Sequence, residues 1–186
     1  MKVGGNGQAK ILTPSEIRRL FSDGFQSARD RALFGLCLYT GCRISEALAL
    51  RWEDIQPDLI TFRRRNTKGK LATRAVHLHP HLHELLTHYR RSTIATGYLF
   101  PGRSPQALPL TRFMADKILR MACDRIGLQG ISTHSFRRTA LTTMSNAGIP
   151  LRHIQDISGH RSLSALQRYL EVAPEDRQRA IATLHF

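Results

Sequence analysis

The stretch "STHSFRRTALTTM" (132–144) places a histidine, two arginines and a run of small hydroxyl residues on one predicted helix. His134 and Arg137 are three residues apart, so their side chains lie on one face of that helix, about one turn from each other. An imidazole and a guanidinium at this spacing suit a group with two acceptor oxygens, such as a phosphate. A solvated basic face fits the stretch alone equally well, so the rest of the chain must decide.

The charge of the chain favours a partner that carries phosphates. Its 186 residues contain 28 Lys and Arg against 14 Asp and Glu, which gives a net charge of +14 and a pI near 11. Such an excess is typical of nucleic-acid-binding proteins. Most of these cations are arginines, which recognise phosphate through paired donors as well as through charge. They are spread along the whole chain, so no basic amphipathic helix indicates a membrane surface.

The length and the composition predict one globular domain. No apolar run approaches the ~20 residues that span a bilayer, and the N-terminus lacks the apolar centre of a signal peptide. Three cysteines cannot all pair, and the chain has no CxxC motif, so we expect a reduced cytoplasmic setting. The Gly-rich residues 1–10 are expected to form a flexible leader before a domain over residues 11–186.

The spacing of apolar residues predicts a mainly helical domain with one small antiparallel β-hairpin. "TPSE" (13–16) has the residues of a capping box, and Gly41 ends the next helix. In the helix over 110–128 we expect Phe113, Ile118, Met121 and Ala122 to face inward. The other predicted helices cover 28–41, 44–50, a segment from Pro80, 134–147, a segment after Pro150, 163–170 and a segment after Pro174; the strands cover 59–65 and 71–78 around a turn at 66–70.

Several common catalytic and metal-binding motifs do not occur in the sequence. It has no GxxxxGK[ST] loop, no HExxH and no GxSxG, and its acidic residues form no obvious Mg²⁺-binding set. The run "HLHPHLHELLTH" (77–88) has five histidines, but they do not converge across the proline, so we predict no metal site. A phosphoryl-transfer enzyme without a metal must supply its own cations and its own nucleophile.

Four short segments carry the candidates for that chemistry. Each candidate alone also has an ordinary structural role: Arg43 could cap the preceding helix, Lys68 could be a solvated turn lysine, and Tyr169 could lie at the rim of an amphipathic helix. The segments are "TGCRISEAL" (40–48) with Arg43, "NTKGK" (66–70) with Lys68, the opening stretch with His134 and Arg137, and "SGHRSLSALQRYL" (158–170) with His160 and Tyr169.

The order and spacing of these segments resemble the catalytic domain of the tyrosine recombinases, or phage-type integrases. TGxRxSE is followed 25 residues after its arginine by a hairpin lysine, then by HxxR, then by GH 23 residues after the second arginine, and by a tyrosine nine residues later. The resemblance covers roughly residues 11–186. The sequence departs from it at Ser158, where Leu is commoner, and at Arg138, where many members have His. Most relatives also have an N-terminal helical domain that closes a clamp around DNA, and we expect a short form without it.

The resemblance implies a DNA strand transfer through a covalent intermediate. Tyr169 would attack a phosphodiester and leave a 3′-phosphotyrosyl bond and a free 5′-hydroxyl, without a metal, a cofactor or ATP. Arg43 and Arg137 would hold the non-bridging oxygens of the phosphate through their paired N–H donors.

The resemblance gives the remaining candidates supporting roles. Lys68 would protonate the departing 5′-oxygen as a general acid, and His134 would assist proton transfer at the tyrosine. His160 would hydrogen-bond the phosphate. Glu46 matches the acidic position after the first arginine and would orient that arginine.

The resemblance also implies partners. We expect double-stranded DNA, a tetramer on paired DNA sites linked through the C-terminal tail 175–186, and a role for accessory DNA-bending proteins. In that tail Ile181, Leu184 and Phe186 form a short apolar stripe; the alternative is that the stripe packs on its own domain. A bacterial chain bound to the nucleoid, or one encoded by a phage or mobile element, fits this role. Two other functions stay open: DNA relaxation by a type IB topoisomerase-like enzyme, and regulation by a catalytically idle DNA-binding protein.

Overall fold

The fold is mainly helical with one two-stranded antiparallel sheet, as the sequence predicts. The computed structural model describes residues 8–63, 73–94, 96–102 and 108–170, together with 178, 181, 182 and 184. Its elements are α1 (Pro14–Arg19), a π-helical turn (Leu20–Gly24), α2 (Ala28–Thr40), α3 (Ile44–Leu48), a 3₁₀ turn (Trp52–Asp54), β1 (Leu59–Phe62), β2 (Arg74–His77), α4 (Pro80–Arg91), α5 (Arg112–Arg125), α6 (Thr133–Asn146), α7 (Leu151–Ser158) and α8 (Leu163–Gln167).

The ends of the first helices follow the local sequence. Thr13 caps α1 by accepting from the backbone N–H of Glu16 at 3.2 Å, and the Glu16 carboxylate accepts from the backbone N–H of Thr13 at 3.0 Å. This reciprocal pair is the predicted capping box. Helix α2 ends at Gly41, whose φ of 61° lies in the left-handed region. Glycine reaches that conformation without strain, and the chain turns there directly into the segment that carries Arg43.

Helix α2 forms the centre of the core. It packs against α4 on one side and α6 on the other, and its residues from Ala32 to Cys37 are buried. Aromatic rings join the layers: Phe25 stacks on Phe34 with ring centroids 4.8 Å apart, and Phe34 lies 5.1 Å from Phe136 of α6. Since Phe136 immediately precedes Arg137, this packing fixes the part of α6 that carries the predicted site residue.

The sheet pairs Leu59 with His77 and Phe62 with Arg74 in antiparallel register. Ile60, Phe62 and Val76 are buried, so one face of the hairpin covers the core. The predicted turn at 66–70 lies outside the described residues.

One prediction about the core is wrong. Phe113 and Met121 of α5 were expected to face inward but are 69% and 52% exposed, while Ala122 is buried as expected. The buried positions of α5 are Ala115, Leu119, Ala122 and Cys123. This stripe contains small residues because α5 lies directly against the π-helical turn. Phe113 and Met121 occupy the opposite side of the helix, so the spacing of apolar residues was a poor guide to its inner face.

A smaller cluster holds the C-terminal part together. Leu141 of α6, Ile154 of α7 and Leu166 of α8 are buried against one another, and Tyr169 packs on them. Helix α8 ends at Gln167, earlier than predicted, and Tyr169 follows in a turn whose backbone N–H donates to Leu166 O at 2.8 Å. Most of the predicted helix after Pro174 lies outside the described residues. In the part of the chain described, no helix is long and apolar enough to cross a membrane.

Candidate active site

Arg43 lies at the start of α3, immediately after the turn at Gly41. Its backbone N–H donates to Glu46 Oε2 at 2.8 Å, and its Nη1 lies 3.4 Å from Glu46 Oε1. The carboxylate therefore fixes both the backbone and the side chain of Arg43. Among the described residues, the Arg43 side chain pairs with Glu46, and the Gly41 carbonyl after the end of α2 accepts from Arg137 Nη1 at 2.6 Å.

Glu46 has a second arginine partner that the sequence reasoning missed. Arg74 of β2 makes a two-pronged contact with it, Nη2 to Oε2 at 3.1 Å and Nη1 to Oε1 at 3.3 Å. Its Nε donates to Ile157 O at 3.0 Å, and its guanidinium lies 4.3 Å from the centre of the Phe62 ring. Arg74 thus ties the hairpin to α3 and to the end of α7. The available signal was strand alternation, which places Arg74 on the same inward face as Val76.

The carboxylate of Glu46 is held in its charged form. Its side chain is only 1% exposed, and burial alone would raise its pKa. The charge and hydrogen bonds of Arg74, with those of Arg43, outweigh this burial and lower the pKa of Glu46 below its ordinary value. Since this pKa lies below its ordinary value, the carboxylate is charged at neutral pH and keeps both guanidiniums in place.

Arg74→Ala is expected to destabilise the fold by about 3 kcal/mol, because it leaves a buried carboxylate short of its main partner. Urea unfolding followed by circular dichroism measures this. Arg120→Ala is the matched control, since Arg120 pairs with Asp116 at the surface and its loss should cost below about 1 kcal/mol. Adding Glu46→Gln to Arg74→Ala should recover part of the loss. Equal destabilisation by Arg74→Ala and Arg120→Ala would contradict the role of Arg74 as the main partner of the buried Glu46 carboxylate.

Arg137 is fully buried on α6. Its Nη1 donates to Gly41 O at 2.6 Å and to Ser158 O at 3.0 Å, which joins the end of α2 to the end of α7. Its Nε has no hydrogen-bond partner among the described residues. Burial, and then the charge of Arg43, lowers the pKa of Arg137 to about 10. It therefore stays protonated at neutral pH, with donor capacity left for an anion.

His160 is buried beside Arg137, just after the left-handed Gly159 that ends α7. Its Nδ1 lies 2.7 Å from Ser158 Oγ, and Gln155 Nε2 donates to its backbone carbonyl at 3.0 Å. Burial, and then the charges of Arg137, Arg43 and Arg74, lowers the pKa of His160 to about 3. The imidazole is therefore neutral at any ordinary pH.

Tyr169 packs against both Arg137 and His160. Its half-buried ring lies 5.3 Å from Arg137 Cζ and 4.9 Å from the His160 ring. Its backbone carbonyl accepts from Thr142 Oγ1 of α6 at 3.3 Å. The structure thus brings Arg137, His160 and Tyr169 into direct contact, and the charge of Arg43 acts on both Arg137 and His160.

The other two predicted site residues are His134 and Lys68. His134 lies in the first turn of α6, one turn before Arg137, and its side chain is exposed. Lys68 lies outside the described residues.

The histidine run makes a ring stack at the surface. The ring of His79 stacks on Tyr39 at 4.5 Å, and His81 lies 5.4 Å from His79. His79 Nδ1 also accepts from the backbone N–H of His81 at 3.2 Å, which caps α4. Over the described ranges, no three His, Cys, Asp or Glu side chains are grouped closely enough to hold a metal ion.

Comparison with known proteins identifies the family of this chain. The model of the phage integrase family matches residues 10–176. The chain belongs to that family. Among curated members it is similar to a tyrosine recombinase of Pseudothermotoga lettingae, with 32% identity over 94% of this chain and 60% of that protein. It is also similar to the tyrosine recombinase XerA of Pyrococcus furiosus, with 30% identity over 92% of this chain and 60% of that protein. The chain spans about half to two thirds of the first curated relatives it matches.

Solved structures share the phage integrase fold. A crystal structure of XerA recombinase superposes with a TM-score of 0.79 at 21% identity, over 98% of this chain and 66% of that one. The catalytic domain of bacteriophage HP1 integrase gives 0.68 at 22% identity, over 95% of both chains. A post-cleavage complex of XerH site-specific recombinase with a palindromic difH substrate gives 0.78 at 23%, over 97% of this chain and 54% of that one.

Proposed function

We propose that this chain carries the catalytic domain of a site-specific DNA recombinase that cleaves and rejoins strands through a 3′-phosphotyrosyl intermediate. The observation that carries the proposal is the position of Tyr169, whose ring lies against the buried guanidinium of Arg137 and the neutral ring of His160. A nucleophile beside a desolvated cation is suited to attack an anionic phosphodiester.

The charge balance of the cluster supports a phosphate as its ligand. Arg43, Arg74 and Arg137 all act on His160, and Glu46 neutralises one of these three charges. The two positive charges that remain exceed the single negative charge of a phosphodiester, so they favour its transition state, in which further negative charge develops on the non-bridging oxygens. Donors that are already fixed by Gly41 O, Ser158 O and Glu46 need little reorganisation when that charge develops.

The proposed step exchanges one phosphate ester bond for another. Tyr169 Oη forms a bond to phosphorus, and the bond from phosphorus to the 5′-oxygen breaks. His134 assists removal of the tyrosine proton, and Lys68 supplies a proton to the departing 5′-oxygen. Arg43 and Arg137 hold the non-bridging oxygens, His160 hydrogen-bonds the phosphate, and Glu46 orients Arg43. Attack by a 5′-hydroxyl on the phosphotyrosyl bond reverses the step without ATP.

Double-stranded DNA is the proposed partner. The net charge of +14 supports it, as do the structural neighbours, which include a XerH recombinase bound to difH substrate and a Tn1549 transposon integrase in complex with circular intermediate DNA. Each phosphate that the protein neutralises contributes a slope of roughly −0.9 to log K against log salt. We therefore expect binding that weakens steeply as salt rises.

A covalent-trapping experiment tests the proposal. Wild-type protein is incubated with a library of nicked suicide duplexes of randomised sequence, and protease-sensitive adducts are isolated and sequenced. We expect adducts at a defined sequence, with the tyrosyl bond at a 3′-phosphate and no loss on adding EDTA. DNA binding without any adduct would indicate the idle regulator. Relaxation of supercoiled plasmid without paired target sites would indicate the topoisomerase-like activity.

Lys68→Ala is expected to slow cleavage of ordinary DNA and to recover on a bridging 5′-phosphorothiolate substrate. Sulfur leaves without a proton, so the substrate bypasses a general acid but not an oxyanion clamp. Single-turnover adduct formation measures this, with Arg137→Ala as the control that should not recover. Equal rescue of both variants, or of neither, would remove Lys68 from this role.

Deletion of residues 175–186 is expected to abolish cooperative binding to paired DNA sites while leaving the domain folded. We propose that the tail links subunits in a tetramer; the exposure of Ile181 at 71% and Leu184 at 56% supports this, since much of each apolar side chain is accessible to another subunit. Gel-shift titrations on one-site and two-site DNA measure the cooperativity. A truncated protein that assembles on two sites as well as the full chain does would contradict this role.

A further inference from the structure

A pocket of about 420 Å³ lies beside α3, the helix that Arg43 precedes. This volume is typical of small-ligand sites. Its walls are partly apolar and its polar groups are cationic or neutral, since no Asp or Glu is among the described residues that line it. The lining includes Ser45, Leu48, Arg51, Tyr98, Leu110 and Arg112.

The two arginines of this pocket differ from many other arginines of the fold. Arg63, Arg74 and Arg120 each pair with a carboxylate. Within the described ranges, the guanidiniums of Arg51 and Arg112 have neither a carboxylate nor a carbonyl as a hydrogen-bond partner. Their donors are therefore available to an anion that enters the pocket.

The position of Arg51 is fixed by the fold. The backbone N–H of Leu99 donates to Leu50 O at 2.8 Å, and Arg51 and Tyr98 face each other in an antiparallel bridge. The guanidinium of Arg51 lies 4.7 Å from the centre of the Tyr98 ring. This contact uses the face of the ring and not its hydroxyl, and it leaves the N–H groups at the edge of the guanidinium for an acceptor.

The pocket lies close to the place proposed for the cleaved phosphate, because α3 is common to both. Ser45 is exposed only two residues after Arg43, and Ala49 follows one turn later on the same side of the helix. The axis from Arg43 to Ala49 covers about 9 Å at 1.5 Å per residue. Phosphates of one DNA strand follow each other at about 3.4 Å along the duplex axis, so others lie near the pocket, about one to three nucleotides from the cleaved one.

We propose that this pocket binds a phosphate of the DNA backbone that is not cleaved, through the guanidiniums of Arg51 and Arg112 and the hydroxyl of Ser45. The inference rests on the proposed function, because it assigns a second contact to the same DNA. Two guanidiniums without a neighbouring carboxylate supply charge and paired donors to phosphate oxygens. Contacts of this kind fix the register of a duplex, and here they place the phosphodiester at Arg43 in line with Tyr169.

The salt dependence of binding tests the pocket without cleavage. In anisotropy titrations of a short duplex, the double variant Arg51→Ala/Arg112→Ala should lower the slope of log K against log salt by roughly 0.9, the value of one phosphate contact. The control Arg29→Ala/Arg31→Ala removes two charges at the start of α2, about 20 Å along that helix from Gly41, and should keep the wild-type slope. An unchanged slope in the pocket variant, or an equal loss in the control, would overturn the proposal.

A scan with methylphosphonates locates the contact on the DNA. Each substitution makes one phosphate neutral in a duplex that carries the binding sequence, which is found by covalent trapping or by affinity selection. Wild-type protein should lose about tenfold in affinity at a position within about three nucleotides of the cleaved bond, the effect of hydrogen bonds to a charged group. In Arg51→Ala/Arg112→Ala the same substitution should cost below about twofold, because its partner is gone.

The two proposals fail in different ways. If wild-type protein forms no adduct on any DNA, the proposed function fails, and the salt slope and the scan still decide whether the pocket binds a phosphate. If adducts form but the scan is the same for wild type and Arg51→Ala/Arg112→Ala, the pocket does not contact DNA. Normal binding to one site with lost assembly on two sites would assign the pocket to an acidic segment of another subunit, and this result too would overturn the proposal.

Discussion

Tyr169→Phe is expected to abolish the covalent protein–DNA adduct while leaving DNA binding nearly unchanged. The substitution removes one hydroxyl and keeps the ring, which packs on Arg137, His160 and the small cluster of α6, α7 and α8. The proposed reaction has no other nucleophile, so no slower route should remain. Denaturing gels of suicide-substrate reactions, beside fluorescence-anisotropy titrations of the same DNA, separate the two properties.

Tyr98→Phe is the matched control. Tyr98 lies under the guanidinium of Arg51 at 4.7 Å, away from the cluster at Arg137, and it should form the adduct at the normal rate. An adduct in Tyr169→Phe that protease still removes would show that another side chain attacks the phosphate, and the assignment of Tyr169 would be lost.

The local parts of the fold were predictable because local physics determines them. The capping box at Thr13 and Glu16 and the left-handed stop at Gly41 need only neighbouring residues, and both occur as predicted. The inward face of α5 was not predictable in the same way. Which side of a helix is buried depends on what lies against it, and the close turn Leu20–Gly24 selects the small stripe through Ala115.

In the candidate site too, some residues were predictable from the sequence, whereas others depend on contacts across the fold. Motif spacing identified residues that the structure brings together, because Arg137, His160 and Tyr169 lie on consecutive elements of the C-terminal part. Arg74 and Ser158 escaped notice because their roles depend on contacts across the fold. Arg74 reaches Glu46 from 28 positions away, and the bond from Ser158 to His160 depends on how Gly159 turns the chain.

The network around Glu46 connects the fold to the site. The carboxylate holds Arg43 and Arg74, and Arg74 in turn donates to the end of α7 through Ile157 O, one residue before Ser158. Arg137 joins the ends of α2 and α7 through Gly41 O and Ser158 O. The donors proposed for the phosphate are therefore fixed by elements that already pack the core, which reduces the reorganisation needed in the reaction.

Arg137→Lys is expected to slow cleavage by ~10²–10³, equivalent to ~2.7–4 kcal/mol of transition-state stabilisation. A lysine keeps the charge, but its single ammonium cannot hold Gly41 O and Ser158 O, contact His160 Nε2 and donate to a phosphate at once. Single-turnover adduct formation on a suicide duplex measures the loss, with circular dichroism to establish that the variant is folded.

Arg138→Lys is the control for this substitution, since it makes the same change one position along α6. The Arg138 side chain donates to Ala9 O at 2.6 Å, near the start of the described chain, and it has no part in the proposed clamp. Its cleavage rate should stay near that of the wild type. If Arg137→Lys cleaves as fast as Arg138→Lys, then charge alone is sufficient at this position. The paired-donor geometry on which the phosphate clamp depends would then be wrong.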